Sequence, residues 1–315
     1  MTYFRTLALG TALALGPIAA QADTLVFGWS PNPQTPQVDV ALEKDYFTEA
    51  GVEVEIVPFD SGRAAFEALL GGQVDVAFMA EFPAATGALT GQEFAIVGDL
   101  ARFTGSRLIG NSDAGPLDSP ADLAGRRIGT TIGTNVHFFL DTLLSEAGVE
   151  AEIVSAAPPD LVPAVTRGDV EAIVPFPTFY SAAQETLGEK YTELRPESYQ
   201  VHYILAATPE MVGDRAATLD AFMGALAKAD ADVAADPEAA MAAVSASMNG
   251  AMSPEALAAM WQDVEIGLTL DDGLTDLILA EAEWILAQGV VRAEPLSRAA
   301  VEAIMAPQSL EKATR

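Results

Sequence analysis

The chain contains no cysteine. That excludes a disulfide, a thiolate metal site, a cysteine nucleophile and lipid attachment through a cysteine behind a leader segment. Histidine is nearly as scarce. His137 and His202 are the two in 315 residues, and neither has a second imidazole nearby in sequence. A histidine-built metal site is therefore not expected, and both rings read as structural or hydrogen-bonding groups. Basic residues are few as well: 16 Lys and Arg face 45 Asp and Glu, a net charge of −29. The acids are scattered rather than blocked, which describes a solvated acidic surface. Such a surface repels nucleic acid and anionic lipid, so no nucleic-acid partner is expected. The chain also lacks a Gly-x-x-x-x-Gly-Lys phosphate loop, a dinucleotide glycine pattern after a strand, and a nucleophile elbow. With no catalytic constellation and no cofactor motif, the sequence reads as a binder rather than an enzyme.

Long apolar runs are missing beyond the first residues. Arg5 precedes an apolar stretch from Leu7 to Ala20, which ends Ala20-Gln21-Ala22 before Asp23. The stretch is shorter than the roughly 20 residues of a spanning helix. A basic start, a short apolar core and a small-x-small site describe a secretory signal cleaved after Ala22, which places the mature chain in a periplasm.

What the chain does contain is alternation. Thr24 to Trp29 reads as a short buried strand, Val38 to Ala50 as a helix with Gly51 behind it, and Val52 to Phe59 as a strand. A Ser61-Gly62 turn opens a helix from Arg63 to Leu70, and Val74 to Met79 is the next strand, followed by a helix from Ala84 to Leu89. Phe94 to Leu100 is a strand that continues through Arg107 to Gly110. A second series follows: strand Arg127 to Ile132, helix Val136 to Ala147, strand Ala151 to Ser155, helix Asp160 to Arg167 and strand Ala172 to Val174. Val201 to Ala207 reads as a return crossing, and beyond Pro209 the pattern is almost wholly helical. Strands alternating with helices imply βαβ units and mainly parallel sheets flanked by helices. The expected architecture is α/β with two lobes of the periplasmic binding type, joined by two hinge strands. Residues 23–103 plus 206–315 form the first lobe and 104–205 the second.

The order and spacing of several short motifs carry a resemblance across nearly all of Leu25 to Met305. They are Ala50-Gly51-Val52-Glu53-Val54, Ser61-Gly62 with Ala68-Leu69, and Gly72-Gln73-Val74-Asp75-Val76-Ala77. Asp122-Leu123-Ala124-Gly125-Arg126-Arg127-Ile128-Gly129, Gly133-Thr134, and Gly168-Asp169-Val170-Glu171-Ala172 complete the set. With these the chain resembles the substrate-binding proteins of ABC importers for taurine, alkanesulfonates and nitrate, a group that includes thiamine-precursor binders. The resemblance implies a two-lobed binding fold that closes on a small solute and docks on an inner-membrane permease. A monomer is expected.

Ligand positions follow from strand ends, where open α/β sheets bind. Gly133-Thr134-Asn135 stands where a strand becomes a helix, so free N–H groups and a partial positive charge can hold an anion there. The competing reading is an ordinary cap by Thr134 or Asn135. Ser61 is a second polar contact or a plain cap. Trp29 and Ser30 end the first strand, with Trp29 on the solute or in the core. Glu81 and Phe82 end the third strand. Glu81 either receives an ammonium or complements the helix dipole. Phe176 stands in Pro175-Phe176-Pro177, where related proteins often carry a Trp and an acid before the proline; that departure suggests an apolar wall. Arg102, Phe103 and Tyr203 lie near the crossings. A taurine-like sulfonate is the expected solute. A thiamine-type pyrimidine is the alternative, because Trp29, Phe82, Phe103, Phe176 and Tyr203 can stack on a ring. Nitrate has only Arg63 and Arg102 to support it. An enzyme on a similar fold would need a cysteine-rich motif or a cytoplasmic address, and a sensory module would need a membrane segment.

Overall fold

A computed structural model of the chain describes residues 23–196, 199–289 and 291–315. The expected signal segment lies outside them. Among the described residues no helix is long and apolar enough to cross a membrane.

Among the described residues eleven strands form two sheets. In the larger, β1 (Asp23–Trp29) lies parallel to β2 (Val52–Pro58), from Asp23↔Val52 to Trp29↔Pro58, and parallel to β3 (Val76–Ala80) on its other side. These are the two βαβ units that the alternation predicts. The remainder is antiparallel. β4 (Ala95–Phe103) leaves for the second sheet, which β5 (Leu108–Asn111) begins. That sheet runs β7 (Glu152–Ser155), β6 (Arg127–Thr130), β8 (Ala172–Val174), β5, β9 (Tyr191–Leu194). β6 is parallel to both β7 and β8, and β5 is antiparallel to β8 and β9. The chain then returns as β10 (Val201–Ala207), antiparallel between β3 and β4. β11 (Val264–Thr269) closes the far edge against β4. Both sheets are thus mixed, with helices on their faces and a helical C-terminal region.

All seven residues of β10 are buried, which explains why it is apolar apart from His202: an interior strand covered on both faces has no solvent side. Its pairing from Val201↔Phe103 to Ala207↔Ala95 puts the whole strand in the larger sheet. A lobe boundary at residue 205 would cut it, and the return crossing precedes Val201. The single helix expected over Val38 to Ala50 is two, Pro36–Glu43 and Tyr46–Glu49. Asp45 breaks it at φ 55, a left-handed conformation that Asp tolerates better than most residues. β9 and β11 escaped the sequence pattern because both are short edge strands and mostly half-buried.

Two acids repeat one task. Asp75 accepts the Val26 N–H at 2.8 Å and pairs with Arg215 at 2.8 Å. Glu171 accepts the Arg127 N–H at 2.7 Å and pairs with its guanidinium at 3.1 Å. Each carboxylate stands just before a strand and holds a main-chain N–H of the neighbouring parallel strand, mid-strand at Val26 and at the first residue at Arg127. The acid in the Val-Asp and Val-Glu motifs is therefore structural in both sheets. In the larger lobe Phe222 stacks on Phe47 and meets Phe27 edge-on in the core; in the smaller, Leu123, Ile128 and Phe139 are fully buried. Each such side chain contributes about 1.5–3 kcal/mol of burial free energy.

Candidate functional site

The carboxyl ends of both parallel strand sets open on one cleft of about 210 Å³. The larger lobe supplies Ser30 and Asn32 after β1, Phe59, Asp60 and Ser61 after β2, and Phe78 and Ala80 on β3. The smaller lobe supplies Thr134, Asn135, Phe176 and Thr178. Tyr203 on β10 stands at the back.

Two helices aim their first turns into this space, Gly62–Leu70 from one side and Asn135–Ala147 from the other. Ser61 is extended (φ −156°, ψ 152°), and its hydroxyl accepts the Ala64 N–H at 3.3 Å. Thr134 behaves differently. Its hydroxyl turns back and donates to the Thr131 carbonyl at 2.7 Å, so its side chain caps no N–H of its helix. The Thr134 carbonyl accepts from His137 and Phe138. The N–H groups of Gly62, Arg63 and Asn135 have no partner among the described residues. A helix start with free N–H groups attracts an anion through its dipole and its donors together. Tyr203 adds a hydroxyl. Burial pushes its pKa well above the ordinary tyrosine range, against a small lowering from the Asn32 side chain. No described group sits at hydrogen-bonding geometry to that hydroxyl.

Arg63 straps the cleft. Its Nη1 donates to the Ile132 carbonyl across the mouth at 2.8 Å, while its Nε pairs with Glu67 at 2.9 Å. Gly133 makes room for it: φ is +76°, and a Cβ there would stand 2.6 Å from the Arg63 Nη1. A longer contact, Thr178 Oγ1 to the Pro31 carbonyl at 3.4 Å, joins the lobes at another point.

Of the positions named from sequence, Ser30, Ser61, Thr134, Asn135, Phe176 and Tyr203 meet at the cleft. The others do not. Ala80 ends β3 at the cleft, and the chain turns helical at Glu81 (φ −67°, ψ −30°), the residue that opens helix Phe82–Leu89. Glu81 is fully buried, accepts the His202 N–H at 2.8 Å and receives the Tyr199 hydroxyl. It cannot meet an ammonium in the cleft. Trp29 backs the cleft from behind Phe78, with ring centroids 4.6 Å apart. Arg102 is spent on the β11 edge, reaching Thr269 Oγ1 at 2.7 Å, Asp99 at 3.6 Å and Glu265 at 3.4 Å. Phe103 is a core residue beneath Gly105. Phe82 and Gly133 line a separate cavity.

Sequence reasoning missed a buried polar network. Asp99, His202 and Glu81 sit on or just beyond the neighbouring strands β4, β10 and β3, with His202 Nδ1 2.7 Å from Asp99. Burial works against a proton on His202, but the Asp99 carboxylate outweighs it and raises the pKa. Tyr199 stands 3.2 Å from Glu281 as well as bonding Glu81. One hydroxyl donates once, so the Glu281 contact needs a carboxyl proton given the other way. Burial, and for Glu281 the nearby Glu81 charge, raises both carboxyl pKa values, and the pair retains a proton. Glu281 was legible in outline, since it occupies the buried stripe of helix Asp272–Ala287 with Leu274, Ile278 and Ile285.

Among the described residues no group of three or more His, Asp or Glu is placed to hold a metal ion. A family model described as NMT1/THI5 like matches residues 32–240. The taurine-binding periplasmic protein of Escherichia coli strain K12 is 28% identical over 167 residues, covering 51% of this chain and 50% of that protein. The chain thus aligns with about half the length of that relative. A Haemophilus influenzae protein named for thiamine biosynthesis is 27% identical over 240 residues, 74% of this chain and 75% of the relative. The alkanesulfonate-binding protein SsuA of Xanthomonas axonopodis pv. citri, solved bound to MOPS, superposes with a TM-score of 0.73. It is 19% identical and covers 91% of this chain and 99% of that one. At that identity the likeness shows the periplasmic binding protein fold.

Proposed function

Because the chain belongs to the NMT1/THI5-like family, we propose that it is a periplasmic solute-binding protein of an ABC importer. In this reading it takes a small organosulfonate such as taurine into the cleft and delivers it to the permease. The carrying observation is the meeting of two helix starts with free N–H groups, one from each lobe, in an otherwise acidic protein. A sulfonate between them contacts both lobes at once, so it binds the closed form better than the open one and shifts the population toward closure. Its relatives' printed names, taurine-binding and alkanesulfonate-binding, support the anion. For an aminosulfonate, the ammonium partner is Asp60, exposed at the cleft rim beside Ser61.

A second reading has its own observation. Phe59, Phe78, Phe176, Phe179 and Tyr203 all line the cleft, and aromatic walls of this kind suit a thiamine-type pyrimidine. Thermal-shift titration separates the two. A ligand at 100 times its dissociation constant stabilises the native state by about 2.7 kcal/mol. A shift with taurine and ethanesulfonate supports the anion cradle; a shift only with aminopyrimidines overturns it. Asp60→Asn is expected to weaken taurine by about tenfold and to leave ethanesulfonate nearly unchanged, the loss of one charge-assisted contact. Equal losses for both ligands, measured by calorimetry, remove the ammonium role.

A further inference from the structure

A second and larger cavity, of about 560 Å³, lies on the other side of the Arg63 strap. Phe66, Phe82, Ile132, Trp284 and Ile285 form its apolar wall. It shares Arg63 and Pro83 with the cleft, so the two spaces adjoin at the Arg63 side chain. We propose that this cavity is a second ligand compartment, which takes the aromatic body of a sulfonate whose anionic head sits at Arg63. The inference rests on the organosulfonate reading above and extends its substrate class from small aliphatic to aryl sulfonates.

Several observations carry it. The wall is a built aromatic surface. Trp284 packs edge-on against Phe82 at 5.7 Å, Phe138 at 5.4 Å and His137 at 5.5 Å, and its Nε1 donates to Asp141 at 2.8 Å. The ring is thereby fixed before any ligand arrives, and preorganisation of this kind lowers the entropy cost of binding. Ile132 is 40% exposed, one of two large apolar side chains left in solvent among the described residues. It sits on the cavity edge, where an aromatic body would cover it. Burial lowers the His137 pKa despite the nearby Asp141, which disfavours a charge on that ring. Arg63 is a cation half in solvent, held by one backbone carbonyl and one exposed glutamate. A sulfonate oxygen can replace the Ile132 carbonyl as its acceptor without leaving a buried group unpaired.

Calorimetry with 2-naphthalenesulfonate and ethanesulfonate tests the proposal. The naphthyl ligand is expected to bind about tenfold or more tightly than ethanesulfonate, from the apolar area removed from water. Thr86→Trp fills the cavity from its α-helical wall, where Thr86 lines the cavity and not the cleft. It should abolish that advantage while ethanesulfonate changes by less than about twofold. Thr90→Trp fills the same cavity from an exposed position that does not line the cleft, and should give the same selective loss if Thr86→Trp does not fold. Equal affinity of the two sulfonates, or parallel loss of both in the variants, overturns the second compartment and leaves the cleft reading standing. Binding of neither sulfonate overturns both.

Discussion

At the scale of single residues, burial of acids sets how stability responds to pH. Glu81, Glu281 and Asp39 all carry raised carboxyl pKa values with burial as the first cause, Asp39 pushed up to about 7. The folded chain therefore keeps protons that the unfolded chain releases above about pH 4. Their contribution is fully present below the unfolded value and is lost as pH rises through the folded one. For Asp39 the cost of ionisation above pH 7 is on the order of 4 kcal/mol at most, from its displacement out of the ordinary aspartate range. Glu281→Gln and Asp39→Asn are accordingly expected to raise the melting temperature near pH 8 by several degrees and to change it little near pH 4.5. Calorimetric scans at the two pH values check this, and equal effects at both would refute it. The sequence located Glu81 at the end of a strand, but its burial away from the cleft was not legible, because the chain turns helical at that residue. Nor were its partners. Tyr199 and Glu281 lie 118 and, for Tyr199 to Glu281, 82 residues away in sequence, and no periodicity reports such a meeting.

Elements show which local signals are read reliably. Gly148 and Gly168, with φ of +65° and +80°, end helices as their sequence position suggests. Ser61 reads in the sequence as a polar ligand contact or a plain cap, and its hydroxyl does accept a first-turn N–H, that of Ala64. Gly133 is the instructive case. It lies between β6 and the helix Asn135–Ala147, where the sequence reading expected a helix start that holds an anion. The group that approaches is the Arg63 guanidinium, from the opposite lobe. Gly133→Ala meets two costs: a left-handed backbone, about 1–2 kcal/mol for a residue with a Cβ, and displacement of the strap. It is expected to lower stability by roughly that amount in urea titration. It should also weaken sulfonate binding several-fold if the strap completes the closed cleft. A variant with unchanged stability would mean that the turn relaxes freely. β9 and β11 were unreadable for an ordinary reason: an edge strand of a few half-buried residues lacks both the alternation and the apolar run that mark strands.

For the whole molecule, the alternation of strands and helices was enough to imply two lobes. The mixed order of the sheets follows from the crossings, which no local pattern encodes. Cavities are the least legible level, because the second compartment joins Phe66, Ile132 and Trp284 from three distant segments. The charge, by contrast, is fully written in the composition. A net −29 repels an anionic solute at long range, while the helix starts attract it only within the cleft. Salt screens the first effect more than the second. Sulfonate affinity is therefore expected to rise by about two- to threefold between roughly 20 and 300 mM NaCl, measured by calorimetry. A steep fall would place a bulk electrostatic attraction where only a local one has been described.

The strap has an asymmetry with a bearing on divergence. Arg63 offers a side chain, but Ile132 answers with its main-chain oxygen. Every residue has that oxygen, so position 132 is free to drift through any side chain without losing the bond. Position 63 has no such freedom, since only a long donor spans the mouth. A substitution that rewrites the rim at 132 can therefore keep the strap, whereas one at 63 removes it.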